Sequence, residues 1–232
     1  MRITVEGAIA SPNIWHHPHL YEIENAAVDP DRVIEHTMQE VRTWAGATFL
    51  DVGCGTGFHL PRFAAEAAQC IGVEPHRILV ASARRRVAGF PHVEVREGSA
   101  QRLPVADASV DVTHARWSYF FGPGCEPGLR ELDRVMRHGG AAFVIDNDAS
   151  RSTFGGWFRR SLPDYDQDAT DRFFARHGFE VMDREICWQF ETRDDLESVV
   201  RIEFPPALAD TILSEHRGTY VDYAIKVRVR RF

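Results

Sequence analysis

Apolar and polar positions change their period along this chain, and the change marks the elements. After Asp29, suited to an N-cap with Pro30 at the first helical position, Val33, Ile34, Met38 and Val41 recur at near-helical spacing as far as Trp44. That spacing predicts a leading helix. From Thr48 short apolar runs alternate with amphipathic stretches: Phe49-Leu50, then Leu60, Phe63, Ala64 and Ala67; Cys70 to Val73, then Ile78, Leu79 and Ala83. The alternation continues through Val93-Glu94-Val95, Val110-Asp111-Val112, a helix carrying Leu129, Leu132, Val135 and Met136, and Ala141 to Ile145 after the turn Gly139-Gly140. Strand and helix alternating over about 100 residues predict an α/β fold, a parallel sheet with helices on both faces.

The C-terminal part has a different period. Val221, Tyr223, Ile225, Val227 and Val229 alternate strictly with Asp222, Ala224, Lys226, Arg228 and Arg230, which predicts a half-exposed edge strand. Ile186, Trp188 and Phe190 predict a second late strand; Phe179 and Val181 sit on the other parity, so a bulge or break is expected near Asp183 to Glu185. The stretch from Ala149 to Pro163, rich in Ser, Gly and Arg with aromatic residues, reads as a mobile insertion. A single domain is expected over 1–232: an N-terminal lid and leading helix (1–46), a core (47–146), an insertion on the substrate side (147–178), and C-terminal strands and helices (179–232).

Composition narrows the function classes. With 44% hydrophobic and 26% charged residues, a chain of 232 can bury a sizeable core. No run of about 18 apolar residues occurs, and the N-terminus lacks a basic region followed by an apolar stretch, so a soluble, cytoplasmic protein is expected. The four cysteines form no C-x-x-C pair, which argues for buried thiols and against a zinc cluster or disulfide framework. A net charge of -7 argues against a nucleic-acid partner, and the basic runs Arg84-Arg85-Arg86 and Arg228 to Arg231 are short. A monomer or homodimer acting on a small molecule is the expectation.

Candidate chemistry begins at Phe49-Leu50-Asp51-Val52-Gly53-Cys54-Gly55-Thr56-Gly57-Phe58, which ends a predicted strand and opens a predicted helix. Glu74 ends the next strand, placed to accept hydrogen bonds from both hydroxyls of a ribose. A dinucleotide fingerprint G-x-G-x-x-G would need glycine or alanine at position 58, which is Phe58. Asp51 would also repel a pyrophosphate but attract an ammonium or sulfonium. A nicotinamide-dependent oxidoreductase is therefore disfavoured.

Four motifs in order carry a family resemblance: LDVGCGTG, CIGVEP, EGSAQRLPVADASVDV and LRELDRVMRHGGAAFVID. Residues 47–146 resemble the class I S-adenosylmethionine-dependent methyltransferases, especially the small-molecule branch related to the ubiquinone and menaquinone biosynthesis enzymes. The resemblance implies a Rossmann-like three-layer sandwich with a mostly parallel seven-stranded sheet and an antiparallel C-terminal strand. It implies S-adenosylmethionine as cofactor and S-adenosylhomocysteine as product. It also implies that Gly53 and Gly55, with Cys54 and Gly57 in the same loop, hold the methionine end and that Asp51 orients its amino group. Glu74 and Pro75 would meet the ribose, Ser99, Ala100 and Gln101 the adenine, and Ala115 and Arg116 the rest of the cofactor cleft. Ser99 departs from the family's usual acidic residue and would accept from the adenine without a charge.

The acceptor is expected just beyond the strand ends. His114 is a candidate general base. Arg116 could pair with an acidic substrate group or with a nearby carboxylate. Trp117, Tyr119 and Phe120, with Trp157 and Phe158 of the insertion, are candidate substrate contacts, as is Asp146 of Asp146-Asn147-Asp148. Trp15 and His16, from Trp15-His16-His17-Pro18-His19-Leu20-Tyr21, would belong to an aromatic lid, because Pro18 breaks the helical spacing a metal site needs. No metal is expected. A non-catalytic binding protein of the same fold is the other alternative.

Overall fold

A computed structural model describes residues 4–5 and 8–232 of the chain. Three helices lead: α1 (Pro12–His16), α2 (Pro18–Ala27) and α3 (Val33–Val41). Pro12 and Pro18 each open a helix, where a missing N–H costs nothing, so Pro18 splits the predicted lid into two short helices. The leading helix starts later than Pro30 and stops short of Trp44. Asp29 and Arg32 are both left-handed (φ 53° and 57°), and the Asp29 carboxylate accepts from the N–H of Val33 (2.8 Å) and Ile34 (3.0 Å). Asp29 thus caps the helix across an intervening turn rather than from the adjoining position.

The apolar runs form β1 (Thr48–Val52), β2 (Gln69–Glu74), β3 (Val93–Glu97), β4 (Val110–Arg116) and β5 (Met136–Asn147), connected through α4 (Leu60–Ala64), α5 (Arg77–Arg86) and α6 (Glu126–Val135). Beyond them lie α7 (Thr153–Ser161), α8 (Gln167–Arg176), β6 (Glu180–Gln189), α9 (Arg193–Glu203), α10 (Pro206–Glu215) and β7 (Tyr220–Arg231). The seven strands are ordered β3-β2-β1-β4-β5-β7-β6; the first five are parallel and β7 is antiparallel to both its neighbours.

Alternation along each strand feeds two apolar layers. Phe49, Val112, Phe143 and Ile225 face α3, α4, α7, α9 and α10, whereas Leu50, Ile71, Ala142 and Val144 face α6 and α8. Each such large apolar side chain contributes about 1.5–3 kcal/mol by leaving water.

The C-terminal strand is interior, between β5 and β6, and so corrects the edge-strand expectation. Helices cover both faces, and both parities are buried: Val227 is 0% exposed, and Arg228 only 1%. Paired internal charges produce the same alternating pattern as charges facing water. Here Arg228 Nη2 donates to Asp171 Oδ1 (2.8 Å) and Lys226 Nζ to Asp183 Oδ1 (3.0 Å). The register of β6 on β7 is continuous from Glu180↔Val229 to Gln189↔Tyr220, so no bulge occurs near Asp183; Val181 is simply exposed and Phe179 precedes the strand. The stretch expected to be mobile contains α7, capped by Ser152 Oγ, which accepts from Gly155 N–H (3.1 Å). Its Phe154 stacks on Tyr223 with ring centroids 3.8 Å apart.

Candidate active site

The carboxyl ends of β1, β2 and β4 open into a cleft whose empty space, counted out to its mouth, is about 1100 Å³. The glycine loop forms its floor. Gly53, Gly55 and Gly57 all have positive φ (77°, 55° and 75°), and a Cβ on Gly53 would stand 2.6 Å from the Cβ of Ser118, so the loop after β4 approaches only because residue 53 is glycine. Ser118 Oγ closes that contact by donating to the Val52 carbonyl (2.7 Å).

Four N–H groups of this loop are turned inward. Gly53 and Cys54 donate to the Val73 carbonyl (2.8 and 3.1 Å), Gly57 to the Cys54 carbonyl (2.8 Å), and Gly55 to Glu74 Oε2 (3.1 Å). A pyrophosphate needs free N–H donors at this place. What remains at Gly53 and Gly55 is carbonyl oxygen and bare backbone, complementary to a cationic ligand.

Glu74 is buried at the end of β2, and its Oε1 also accepts from His76 N–H (2.9 Å). Burial pushes its carboxyl up to about 7, against the lowering effect of the two N–H bonds and with a smaller push from the charge of Asp51. Asp51 and His114 face one another across adjacent, register-paired positions of β1 and β4, with Asp51 Oδ1 2.9 Å from His114 Nδ1. Parallel pairing of two strands puts both side chains on the same face. Engaging Nδ1 with a carboxylate leaves Nε2 as the ring's remaining nitrogen.

His59, at the start of α4, completes this corner, its ring centroid 6.3 Å from that of His114. Burial, reinforced by the positive charge of Arg116, holds His59 well below the usual imidazole range, so its ring is neutral. After β4 the chain turns sharply: Trp117 and Tyr119 have left-handed backbones (φ 48° and 53°), a strained geometry typical of functional loops.

The N-terminal helices roof the cleft. Trp15 stacks on His76 with centroids 5.0 Å apart, and Val5 N–H donates to the Pro75 carbonyl (3.1 Å). Glu22 of α2 accepts from Thr56 Oγ1 in the glycine loop and pairs with Arg86 of α5 (2.6 Å). Asn13 donates to Glu203 at the end of α9. The roof is tied down at both ends.

Of the residues singled out from sequence, Asp51, Gly53, Cys54, Gly55, Glu74, Pro75, Ser99, Ala100, His114, Arg116, Trp117, Tyr119 and Trp15 line this cleft. Six do not. Gly57 backs the loop, where a Cβ would stand 3.0 Å from Ala83 Cβ in α5. Ala115 points into the opposite apolar layer, and Phe120 is buried there too. Asp146 is buried 3.8 Å from Arg228, His16 is exposed, and Gln101 is not part of the lining. Trp157 and Phe158 belong to the apolar core, not the cleft, because α7 folds onto β7. Tyr21 of the expected lid stretch lines the cleft as well, whereas sequence reasoning missed Asn25 and His59, which also line it. His59 adjoins the loop and was findable; Asn25 comes from a helix whose docking no local pattern announces.

The fold and the site together define a Rossmann-like α/β fold with a roofed cleft at the carboxyl ends of its parallel strands. Residues 50–144 match the family model described as a methyltransferase domain. The chain is 31% identical over 126 residues to a demethylmenaquinone methyltransferase of Desulfitobacterium hafniense (strain Y51), covering 52% of this chain and 49% of that protein. It is 32% identical over 115 residues to a ubiquinone/menaquinone biosynthesis C-methyltransferase of Rubrivivax gelatinosus, covering 50% and 43%. The chain thus spans about half the length of the curated relatives it matches. Among solved structures, the YcgJ protein of Bacillus subtilis superposes with a TM-score of 0.63 at 17% identity, over 86% of this chain and 98% of that one. A [4+2]-cyclase, SpnF, superposes with 0.60 at 21% identity over 87% and 81%. Likeness at that identity shows the shared fold.

Proposed function

We propose that this chain transfers a methyl group from S-adenosylmethionine to an oxygen, nitrogen or carbon nucleophile of a small-molecule acceptor, as a monomer or homodimer in the cytoplasm. The observation that carries the reading is the inward turn of the glycine-loop N–H groups, beside the carboxylates of Asp51 and Glu74. It favours a cationic nucleoside over a dinucleotide.

S-adenosylmethionine, when bound, supplies a methyl on a positively charged sulfur that departs as a neutral thioether. The protein's share is positioning and exclusion of water. Glu74 holds the ribose hydroxyls, while Ser99 and Ala100 flank the adenine. The Trp15–His76 stack and the α1–α2 roof keep water out. His114, oriented by Asp51, is the group able to take a proton from an acceptor hydroxyl or amine.

Calorimetric titration with S-adenosylmethionine, S-adenosylhomocysteine and NADH tests the cofactor: the first two bind and NADH does not. Binding of NADH alone defeats the reading. Release of S-adenosylhomocysteine across a panel of phenols, amines and carboxylates separates an enzyme from a binding protein.

A further inference from the structure

Three buried N–H groups meet at the roofed end of the cleft without an acceptor among the described residues: Nε and Nη2 of Arg116 and Nε1 of Trp117. The guanidinium carbon lies 4.5 Å from the Trp117 ring centroid, and Trp117 is itself stacked against Tyr223 (5.7 Å, 28°), so both donors are held from behind. Carboxylates stand near Arg116 without meeting it: Asp29 accepts from two backbone N–H groups, Glu35 pairs through Oε1 with Arg62 (3.3 Å) and keeps a buried, unpartnered Oε2, and Glu24 Oε2 is likewise buried without a partner. No carboxylate among the described residues comes within ion-pair distance, 4.0 Å, of the Arg116 side chain. A buried donor left unmet is destabilising, and a charged one more so.

We infer that the methyl acceptor carries a carboxylate, received by Arg116 and Trp117. This rests on the methyl-transfer reading. Nε and Nη2 form one edge of the guanidinium, spaced to take both oxygens of a carboxylate side by side, and a carboxylate has lone pairs left for Trp117 Nε1–H. Arg116 lies two residues beyond His114 on the same strand, so its side chain leaves the same sheet face as the Asp51–His114 pair. The anchor is therefore beside the reacting corner and not within it. A carboxylate neutralised by a guanidinium is a poor nucleophile, so the methyl goes to a different atom of the acceptor. A carboxylate also occurs at the methionine end of the cofactor; the two sources present the same chemistry and are separated below.

The test uses the full chain, saturated with S-adenosylhomocysteine and titrated calorimetrically with matched acid and amide probes: 4-hydroxybenzoate against 4-hydroxybenzamide, and indole-3-acetate against indole-3-acetamide. The wild type should bind the acid of at least one pair about tenfold tighter than its amide, or more. Arg116→Gln should close that gap while leaving S-adenosylhomocysteine affinity within about twofold, and Arg116→Lys, which keeps the charge but not the fork, should restore part of it. Absence of any acid preference in the wild type overturns the inference without recourse to a variant. Loss of S-adenosylhomocysteine affinity in Arg116→Gln, with acid preference unchanged, also overturns it and assigns the guanidinium to the cofactor. A wild type that binds no S-adenosylhomocysteine defeats the methyl-transfer reading itself.

Discussion

His114 Nδ1 lies 2.9 Å from Asp51 Oδ1, with both residues no more than 3% exposed. Removing either partner leaves the other buried and unmatched. Asp51→Ala and His114→Ala should each lower stability by about 3 kcal/mol in urea unfolding. The double variant should lose less than their sum by about 1 kcal/mol or more. Strict additivity would show that the pair is not coupled. His114→Asn retains a donor near the Nδ1 position but no Nε2; if His114 serves as base, that variant stays folded and loses about 100-fold in kcat.

Glu74 should make cofactor binding pH-dependent. Burial raises its carboxyl to about 7. Accepting from two ribose hydroxyls favours the ionised form. Affinity for S-adenosylhomocysteine should therefore rise about tenfold from pH 6 to pH 8, the ratio of ionised fractions on the two sides of that value. Glu74→Gln should bind more weakly, with a flat profile. A flat wild-type profile would remove Glu74 from the ribose contact.

The roof should loosen as pH rises from acid to neutral. Glu24 of α2 and Glu203 of α9 are both raised mainly by burial; Glu24 is raised further by the charge of Glu203, and Glu203 reaches about 7. Tyr21 and Arg116 face the same pocket of charge. Because these folded-state values exceed the unfolded ones, the stability contributed is complete below the ordinary carboxylate range and is lost as pH rises through about 7. Scanning calorimetry should show Tm falling between about pH 5 and 7.5. Glu74 acts in the same direction, so the diagnostic quantity is the difference between wild type and Glu203→Gln, in which the fall should be smaller.

The ion cluster of β7 should be costly to break. Asp171→Ala leaves Arg228, at 1% exposure, without its 2.8 Å partner and should cost about 3–5 kcal/mol in urea unfolding. Arg231→Ala, whose partner Glu180 is exposed, should change stability by no more than about 0.5 kcal/mol. Equal effects of the two changes would refute the distinction between buried and surface pairs here.

How much of this was legible in the sequence follows from the range of each interaction. The five parallel strands and the glycine loop rest on local period and on residues within about thirty positions of one another, and both were readable from Phe49 to Ile145. The environment of β7 was not, because Lys226 and Arg228 look solvent-facing until Asp171 and Asp183 fold against them. Phe120 and Trp157 were indistinguishable from site aromatics for the same reason; an aromatic side chain has no local signature of whether a cleft or a core receives it.

The chain's order of apolar runs and glycines determined by itself a doubly wound sheet with a nucleoside cleft at β1 and β2, since hydrophobic period and backbone freedom are local properties. Only tertiary structure decided what stands opposite that cleft. It turned the loop's N–H groups inward onto Val73 and Glu74, paired His114 with Asp51 from 63 residues away, and brought α2 over Arg116 and Trp117. Those relationships depend on desolvation and packing between distant segments, which no stretch of sequence carries alone.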